Sequence, residues 1–451
     1  MNILIAGCGQ VGKSLAQQLN EEGHEVTVMD VDQHAVESVT KASDVIGYQG
    51  DCTSLSAQEE AGIKDMDLLI AATHQDEKNM LACLIARKAG ACKTIARVRD
   101  PQYLEEMRFL KEELGLSMSI NPEQVAASDL ARLIQIPSAL EVDTFAKGKV
   151  SLIRLVIPEG SVLDGLKLRD ISSKVGTSAL ICVVERGNEV VIPDGNFRLA
   201  AGDSVSVTLS LENMTEFLTK VGIRAKRIRN VLIAGGGTIA YYLAKRLLEL
   251  KISVKIIEKD PKRCDELATA LPKAMVILGD ATDRTLLMQE SVEKVDAVCA
   301  LMEHDEANIL LSLFVGKVCD AKRMIKIHRN SFEDMVDELP VGTIISTKKI
   351  TAEYITRFVR SMQNSVGSNV EALYRLMDGR VEAMEFNVGE EAKVTWGTLK
   401  DLSIRKNTLI CCINRRGRII RPGGNDKIEE GDSVVVVTTQ RGLNSIDDIL
   451  E

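Results

Sequence analysis

Two kinds of stretch alternate through the first 117 residues. Short apolar runs at Ile3–Ala6, Glu25–Met29, Asp44–Tyr48, Leu68–Ala72 and Thr94–Arg97 are separated by segments whose apolar residues recur every three or four positions. The runs have strand length and the spacers have helical period. Strands that are apolar nearly throughout and alternate with helices form a parallel sheet covered on both faces, so the pattern predicts a doubly wound α/β domain. An amphipathic helix over Pro122–Ile134 then leads out of that domain. Beyond it the period changes. Strands at Ser151–Ile157, Ala179–Glu185 and Ser204–Leu209, a short helix and a Gly187-Asn188 hairpin turn predict a smaller α+β lobe.

The whole pattern then occurs a second time. "NILIAGCGQVG" (2–12) returns as "NVLIAGGGTIA" (230–240), and "EVTVMDVD" (25–32) returns as "SVKIIEKD" (253–260). "YQGDCT" (48–53) matches "ILGDATD" (277–283), and "HQDEKNMLACLIARKAGA" (74–91) matches "EHDEANILLSLFVGKVCDA" (303–321). The rear lobes repeat as well, 176–207 against 405–436, and Lys349–Met362 stands where the first exit helix stood. A nearly constant spacing of about 228 residues over both halves means two tandem copies of one unit. The predicted architecture is two tandem Rossmann-like doubly wound parallel-sheet domains, each followed by a small α+β lobe. The expected divisions are 1–135, 136–225, 226–365 and 366–451, with Leu211–Arg229, including the basic "RAKRIR" (224–229), read as a solvated connection between the copies.

Composition narrows the functions open to such a chain. With 451 residues, 45% hydrophobic and 27% charged, it has ordinary globular proportions. A net charge of −9 and 3% aromatics argue against a general nucleic-acid binder, which needs positive surface and stacking platforms. The longest apolar runs, "ALICVV" and "VVVV", have strand length and are too short for a membrane span. The sequence enters a strand at once, without a charged leader and cleavage site, which predicts no secretory signal. Ten scattered cysteines with no CxxC pair suit buried, reduced thiols in a cytoplasmic protein.

The candidate chemistry sits at the first strand end. Gly7, Gly9 and Gly12 follow an apolar strand and open a helix, the spacing of a dinucleotide loop. Gly7 allows the tight turn, Gly9 lets backbone approach a pyrophosphate, and Gly12 lets helix and strand pack closely. Phosphates would rest on the free N–H groups and the positive end of the helix. Asp30, closing the next strand, can accept both ribose hydroxyls and would repel a 2′-phosphate, favouring NAD over NADP. Asp51 after the third strand either faces adenine or closes a turn with Thr53. Thr73 offers a hydroxyl after the fourth strand, Arg97 a charge-assisted donor after the fifth, and Asp100-Pro101 read as a helix cap. The second copy keeps Gly235, Gly237, Glu258 and Asp280, but has Ala240 for the third glycine and Leu301-Met302 for Ala72-Thr73. Its fifth strand ends on Lys326, His328 and Arg329.

Hydride chemistry needs a proton donor or acceptor beside the nicotinamide. Of five histidines, His24 and His34 are expected to face solvent, and His74 is replaced by Glu303 in the second copy. Neither a Ser/His/Asp order, HExxH, a Walker lysine pattern nor a tight metal cluster is present. The balance favours a sensor of nucleotide over a dehydrogenase, with a nicotinamide-dependent oxidoreductase as the alternative. A further alternative, sensing of a cyclic dinucleotide, rests on Arg405, Lys406, Arg415, Arg416, Arg418 and Arg421 around one hairpin.

The duplicated order of glycine loop, acidic second strand, Gly-Asp third strand, Asp-Glu-x-Asn and a small "PDG…GD" β unit resembles the Trk potassium-uptake regulators of the TrkA family, with tandem RCK (KTN) domains. The resemblance covers essentially the whole chain. It implies a non-enzymatic regulatory subunit at the inner face of the cell membrane. The implied assembly is a homo-oligomeric ring, a tetramer, on a membrane potassium-translocating subunit of TrkH/TrkG type, gating potassium uptake through bound nucleotide. Carried over, Gly7, Cys8, Gly9, Gln10, Val11, Gly12, Asp30, Asp51, Cys52, Thr73 and Arg97 would line the first cofactor site. Gly235, Gly237, Glu258, Asp280 and Lys326 would line the second. Gln10 stands where ATP-favouring members often carry arginine, so the implied cofactor is NAD(H), with ATP or ADP as the other candidates. No metal or catalytic residue is implied.

Overall fold

The run Asn2–Ala6 (β1) is completely apolar from Ile3 onward, and Ile3, Leu4, Ile5 and Ala6 have no exposed surface. Such a strand must be central. In the computed structural model it pairs on both sides in a six-stranded sheet with Glu25–Asp30 (β2), Ile46–Gln49 (β3), Leu68–Ala71 (β4), Lys93–Arg97 (β5) and Met118–Ile120 (β6). The order is β3-β2-β1-β4-β5-β6 and every pairing is parallel, with helices on the connections. The last strand, three residues long, was not expected, and β3 begins two residues later than its apolar run. The residues described are 1–451 except 91, 137, 146–149, 177–178, 210, 224–226, 329–335, 337–338, 365–369, 378 and 444. Part of the expected basic linker (224–226) and Arg329 thus lie outside the described residues.

Helix Pro122–Gln135 leads to an antiparallel sheet of Glu141–Phe145 (β7), Val150–Val156 (β8), Leu180–Arg186 (β9), Glu189–Val191 (β10) and Ser204–Leu209 (β11) in the order β10-β9-β11-β8-β7. Gly187-Asn188 forms the β9–β10 hairpin turn, with Gly187 at φ +60°. Leu211–Lys220 is a helix, which corrects its reading as linker: Met214, Phe217 and Leu218 recur at helical spacing and are buried.

The second copy repeats both sheets. Asn230–Ala234 (β12), Ser253–Glu258 (β13), Met275–Leu278 (β14), Ala297–Ala300 (β15), Lys322–Lys326 (β16) and Thr343–Ile345 (β17) are all parallel, in the order β14-β13-β12-β15-β16-β17. Val370–Leu376 (β18), Val381–Asn387 (β19), Thr408–Arg415 (β20), Arg418–Ile420 (β21) and Ser433–Thr438 (β22) form the matching antiparallel sheet, β18-β19-β22-β20-β21. The Gly-Asp at the entrance of β11 and β22 has a structural cause. Asp203 and Asp432, each almost fully buried, accept two bonds from Arg186 (2.7 and 2.8 Å) and Arg415 (2.9 and 2.8 Å).

By compactness the chain forms two units. One comprises the parallel-sheet lobes, Met1–Ala131 and Arg229–Thr356, and the other the antiparallel lobes, Arg132–Ile228 and Arg357–Glu451. Within the first, Tyr242 of the second lobe donates to the Arg99 carbonyl (3.2 Å) and accepts from Asn121 (3.3 Å). Within the second unit, Phe145 stacks edge-on against Tyr374, Cys182 Sγ stands 3.1 Å from Cys411 Sγ, and Arg380 pairs with Glu185. His24, expected at the surface, is buried beside the amino terminus, whereas His34 is exposed.

Candidate functional site

Gly7 ends β1 at φ +109°, donates its N–H to the Met29 carbonyl (2.8 Å), and a Cβ there would stand 2.9 Å from the Thr73 nitrogen. Only glycine fits. A Cβ on Gly12 would fall 1.8 Å from the Gly7 carbonyl oxygen, so the helix Gln10–Glu21 leans directly on the turn. Gly9, its N-cap, differs: a Cβ there would meet nothing within 4 Å. The backbone at Gly9 is therefore open to a ligand, while Gly7 and Gly12 serve the turn and the packing.

Asp30, at the end of β2, holds this loop. Its Oδ2 accepts from the Cys8 N–H at 2.7 Å and its Oδ1 from the Asp32 N–H at 3.0 Å. A carboxylate has about four acceptor positions, so capacity remains toward the cavity that Asp30 lines. Asp51 Oδ1 accepts from the Thr53 N–H (2.9 Å) and hydroxyl (2.7 Å), bonds that hold its carboxyl below the usual range. It closes that turn and lines the cavity as well.

The Asp-Glu-x-Asn motif stitches the next two strand ends together. Asn79, fully buried, accepts from the Thr73 N–H and hydroxyl and donates to the Thr73 and Arg97 carbonyls. Asp76 accepts from the Arg99 and Asp100 N–H groups at 2.7 and 2.8 Å. Asp100 in turn accepts from the Gln102 N–H, the expected cap. Arg97 contacts Glu123 at 3.3 Å, and burial pushes its guanidinium down from its ordinary value. Arg97 Nε and Glu123 Oε2 are buried with no hydrogen-bond partner, so the pair retains polar capacity that a bound polar ligand or water would satisfy.

These strand ends surround a cavity of about 550 Å3. Of the first-site residues, Gly7, Gly9, Gln10, Val11, Asp30, Asp51, Cys52, Thr73 and Arg97 line it; Cys8 and Gly12 do not, being turned to the turn and the packing. Burial lifts the Cys8 thiol to about 12 and Cys52 to about 11, so both are protonated at neutral pH. Lys78, Arg99 and Glu123 join the lining, as do Ile327, His328, Thr347 and Lys348 from the second copy. Nothing in the repeat itself announces that second group; only the docking of the two lobes brings it in.

The equivalent second-copy residues are arranged differently. Gly235 turns at φ +94° and Glu258 accepts from the Gly236 N–H at 2.6 Å, as Asp30 does from Cys8. Ala240 is accommodated and buried, Gly237 is as open as Gly9, and Asp280 accepts from the Thr282 N–H and hydroxyl. Arg263, where the first copy has Ala35, donates to the Gly236 carbonyl at 2.8 Å. Lys326 donates to the Leu301 carbonyl at 3.2 Å, and burial lowers its ammonium. In the rear hairpin Arg415 lies on Asp432 and Glu429, Arg405 on the Leu450 carbonyl, and Arg421 on Ser172. Within that basic cluster Arg405 and Arg415 hold their own lobe, whereas Arg421 reaches the rear lobe of the first copy.

A family model described as the TrkA-N domain matches residues 3–122 and 231–347, and one described as the TrkA-C domain matches 152–222 and 383–451. The chain is 32% identical to a Trk system potassium uptake protein TrkA homolog of Archaeoglobus fulgidus, over 100% of both chains. It is 30% identical to the Trk system potassium uptake protein TrkA of Haemophilus influenzae, over 98% of this chain and 96% of the relative. Among solved structures, the GsuK channel bound to NAD is similar at TM-score 0.63 and 16% identity, over 97% of this chain and 76% of that one, a likeness of fold.

Proposed function

Since the chain belongs to the TrkA family of Trk system potassium uptake proteins, we propose that it is a regulatory subunit that senses a nucleotide of the NAD(H) class and gates potassium uptake by a membrane partner. The observation that carries this reading is the cavity at the first glycine loop, where an open Gly9 backbone, the Asp30 carboxylate and the Thr73 and Arg97 strand ends converge. These residues fit a dinucleotide. Gly9 and the helix start would receive the pyrophosphate, Asp30 the adenosine ribose, and Arg97 with Thr73 the second half. A bound nicotinamide would supply redox chemistry, and the first-copy lining includes His74 and Lys78 beside Asp30, Asp51 and the Arg97–Glu123 pair; the sensing reading asks of them only binding. The chain's own residues then do one thing: they hold or release a ligand.

The ion path belongs in this reading to a separate potassium-translocating subunit of TrkH/TrkG type, and the regulator to a homo-oligomeric ring, a tetramer, on its inner face. Among the described residues no helix is long and apolar enough to cross a membrane. The lobes 1–135 and 226–365 are the nucleotide-facing elements and 136–225 and 366–451 the pairing elements. Sensing needs only that ligand bind one ring shape better than another, and couplings of about 1–3 kcal/mol per site are typical. Titration with NADH, ADP and ATP tests the reading. Saturable NADH binding with unchanged NADH absorbance supports it. Failure of all three to bind, or steady NADH oxidation that scales with protein and a defined substrate, overturns it.

A further inference from the structure

The two glycine loops differ in what reaches across to them from the next helix. In the first copy Ala35, the third residue of the helix Gln33–Thr40, lines the cavity together with Gly7, Gly9 and Asp30. A methyl group at that position leaves the space beside the loop open. The second copy has Arg263 at the equivalent place, the third residue of the helix Pro261–Ala270. Its Nε donates to the Gly236 carbonyl at 2.8 Å, and its Nη1 lies 2.8 Å from Glu266 Oε2. The guanidinium is therefore held by the loop and by its own helix at once. It crosses the gap that Ala35 leaves clear.

The carboxylates that hold the loops are also engaged to different degrees. A carboxylate has about four acceptor positions. Asp30 uses two of them on the Cys8 and Asp32 N–H groups, which leaves two, as many as a ribose diol needs. Glu258 uses three, on the N–H groups of Gly236 (2.6 Å), Lys259 (2.8 Å) and Asp260 (2.9 Å). One position remains, too few to take both hydroxyls of a ribose. The longer side chain also fills space. A Cβ on Gly236 would stand 3.0 Å from Glu258 Oε2 and 2.6 Å from Leu267, whereas the first copy carries Cys8 at the same place. Both backbone polar groups of Gly236 are thus engaged, its N–H by Glu258 and its carbonyl by Arg263.

We propose that Arg263 and Glu258 are specificity-determining residues that keep an adenine dinucleotide off the second glycine loop, so that each chain holds one such ligand, at the first loop. The inference rests on the nucleotide-sensing reading above and deepens it, because it fixes which of two similar loops does the sensing. Moving Arg263 off the Gly236 carbonyl would break a charge-assisted bond before any ligand contact formed. At the first loop the Ala35 methyl makes no such bond, and none has to be broken there. The second lobe keeps its sheet and its turn at Gly235, and it contributes Ile327 and His328 to the lining of the first cavity.

The test counts NADH bound per full-length chain by equilibrium dialysis, for the parent, Asp30→Ala, Ala35→Arg and a double variant with Glu258→Asp and Arg263→Ala. The parent should bind one NADH per chain, and Asp30→Ala should weaken that binding about tenfold or more. Ala35→Arg should weaken it by a similar factor, since it places on the first loop what Arg263 places on the second. The double variant should take up a second NADH, because it gives the second loop the groups of the first. Parent-like elution in size-exclusion chromatography serves as the folding control for each variant. Two NADH per parent chain, with only one of them lost in Asp30→Ala, overturns the exclusion and leaves the nucleotide reading standing. Parent affinity in Ala35→Arg overturns it as well, as does a folded double variant that still binds one. If the parent binds no NADH, the NAD(H)-sensing reading falls and the inference with it.

Discussion

Replacing Asp30 with alanine separates a ligand contact from a fold contact at one residue. The carboxylate closes the glycine loop through the Cys8 and Asp32 N–H groups, and in the proposed reading its remaining lone pairs take two ribose hydroxyls. A hydrogen bond to a charged group contributes about 1.5–3 kcal/mol when lost. Two such bonds, reduced by the water that replaces the carboxylate, leave a loss of at least about 1.4 kcal/mol, or tenfold in Kd. The fold should persist, since β1 is buried by its own apolar side chains and Asp30 stands at the open end of β2. Fluorescence titration with NADH gives the affinity, and a thermal melt shows what loosening the Cys8 N–H costs. Asp30→Asn refines the comparison, because its amide oxygen can still accept from one loop N–H but carries no charge. The parent should reject NADPH relative to NADH, and the alanine variant should narrow that gap. Glu258→Ala should change total binding less, because Arg263 already lies on the second loop at Gly236. Parent-like NADH affinity in Asp30→Ala would refute the ribose assignment.

Light scattering should give a multiple of the 49.3 kDa chain mass at micromolar concentration, and a strict monomer would sink the ring. Asn79→Ala should lower stability by about 1–3 kcal/mol, because it orphans the buried groups of two strand ends; an unchanged melt would mean that water replaces the amide. Alkylation mapped by mass spectrometry should mark Cys319 first. The other nine cysteines are buried, and burial lifts Cys8, Cys299 and Cys412 to about 12, so early labelling of any of these would contradict the packing. His328 is lowered by burial and then by Lys326, so the unfolded chain takes up its proton first as pH falls. Stability should therefore decline as pH drops through about 6.5, the ordinary histidine value, and His328→Gln should flatten that limb of the melt-versus-pH curve.

The parts of this molecule legible in the sequence are those set by short-range geometry. The spacing of Gly7, Gly9 and Gly12 encodes a turn, an opening and a close packing within six residues, and the structure uses each glycine differently. The duplication foretold four sheets of two kinds, because each copy must bury the same apolar strands. What escaped was set by contacts far apart in the chain. The strand Met118–Ile120 is three residues long and exists because β5 offers it an edge. His24 lies in a polar stretch, yet the amino terminus covers it. Arg99 was not singled out in the sequence, and it is Asp76, 23 residues earlier, that fixes its backbone and side chain. Lys348 lies over 300 residues from the glycine loop whose cavity it lines, and no local period points from one to the other.

A duplicated chain with equal halves would offer two equal sites, yet equality is of little use to a switch. A ligand that binds both shapes of a ring equally shifts nothing, however tightly it binds, and reversing a 1:99 preference takes about 5.5 kcal/mol of differential affinity. Differential affinity arises where the ligand touches parts that move relative to one another. A cavity walled by one lobe would follow that lobe as a rigid body and would register little. The cavity here is lined from both copies, by Asp30 and the glycine loop of the first and by His328 and Lys348 of the second. Any change in the angle between the parallel-sheet lobes alters the distance between those walls, and with it the affinity for whatever spans them. On the proposed reading, the second copy acts as the movable wall of the first copy's site, and its departures from the glycine fingerprint at Ala240 and Arg263 are compatible with that role.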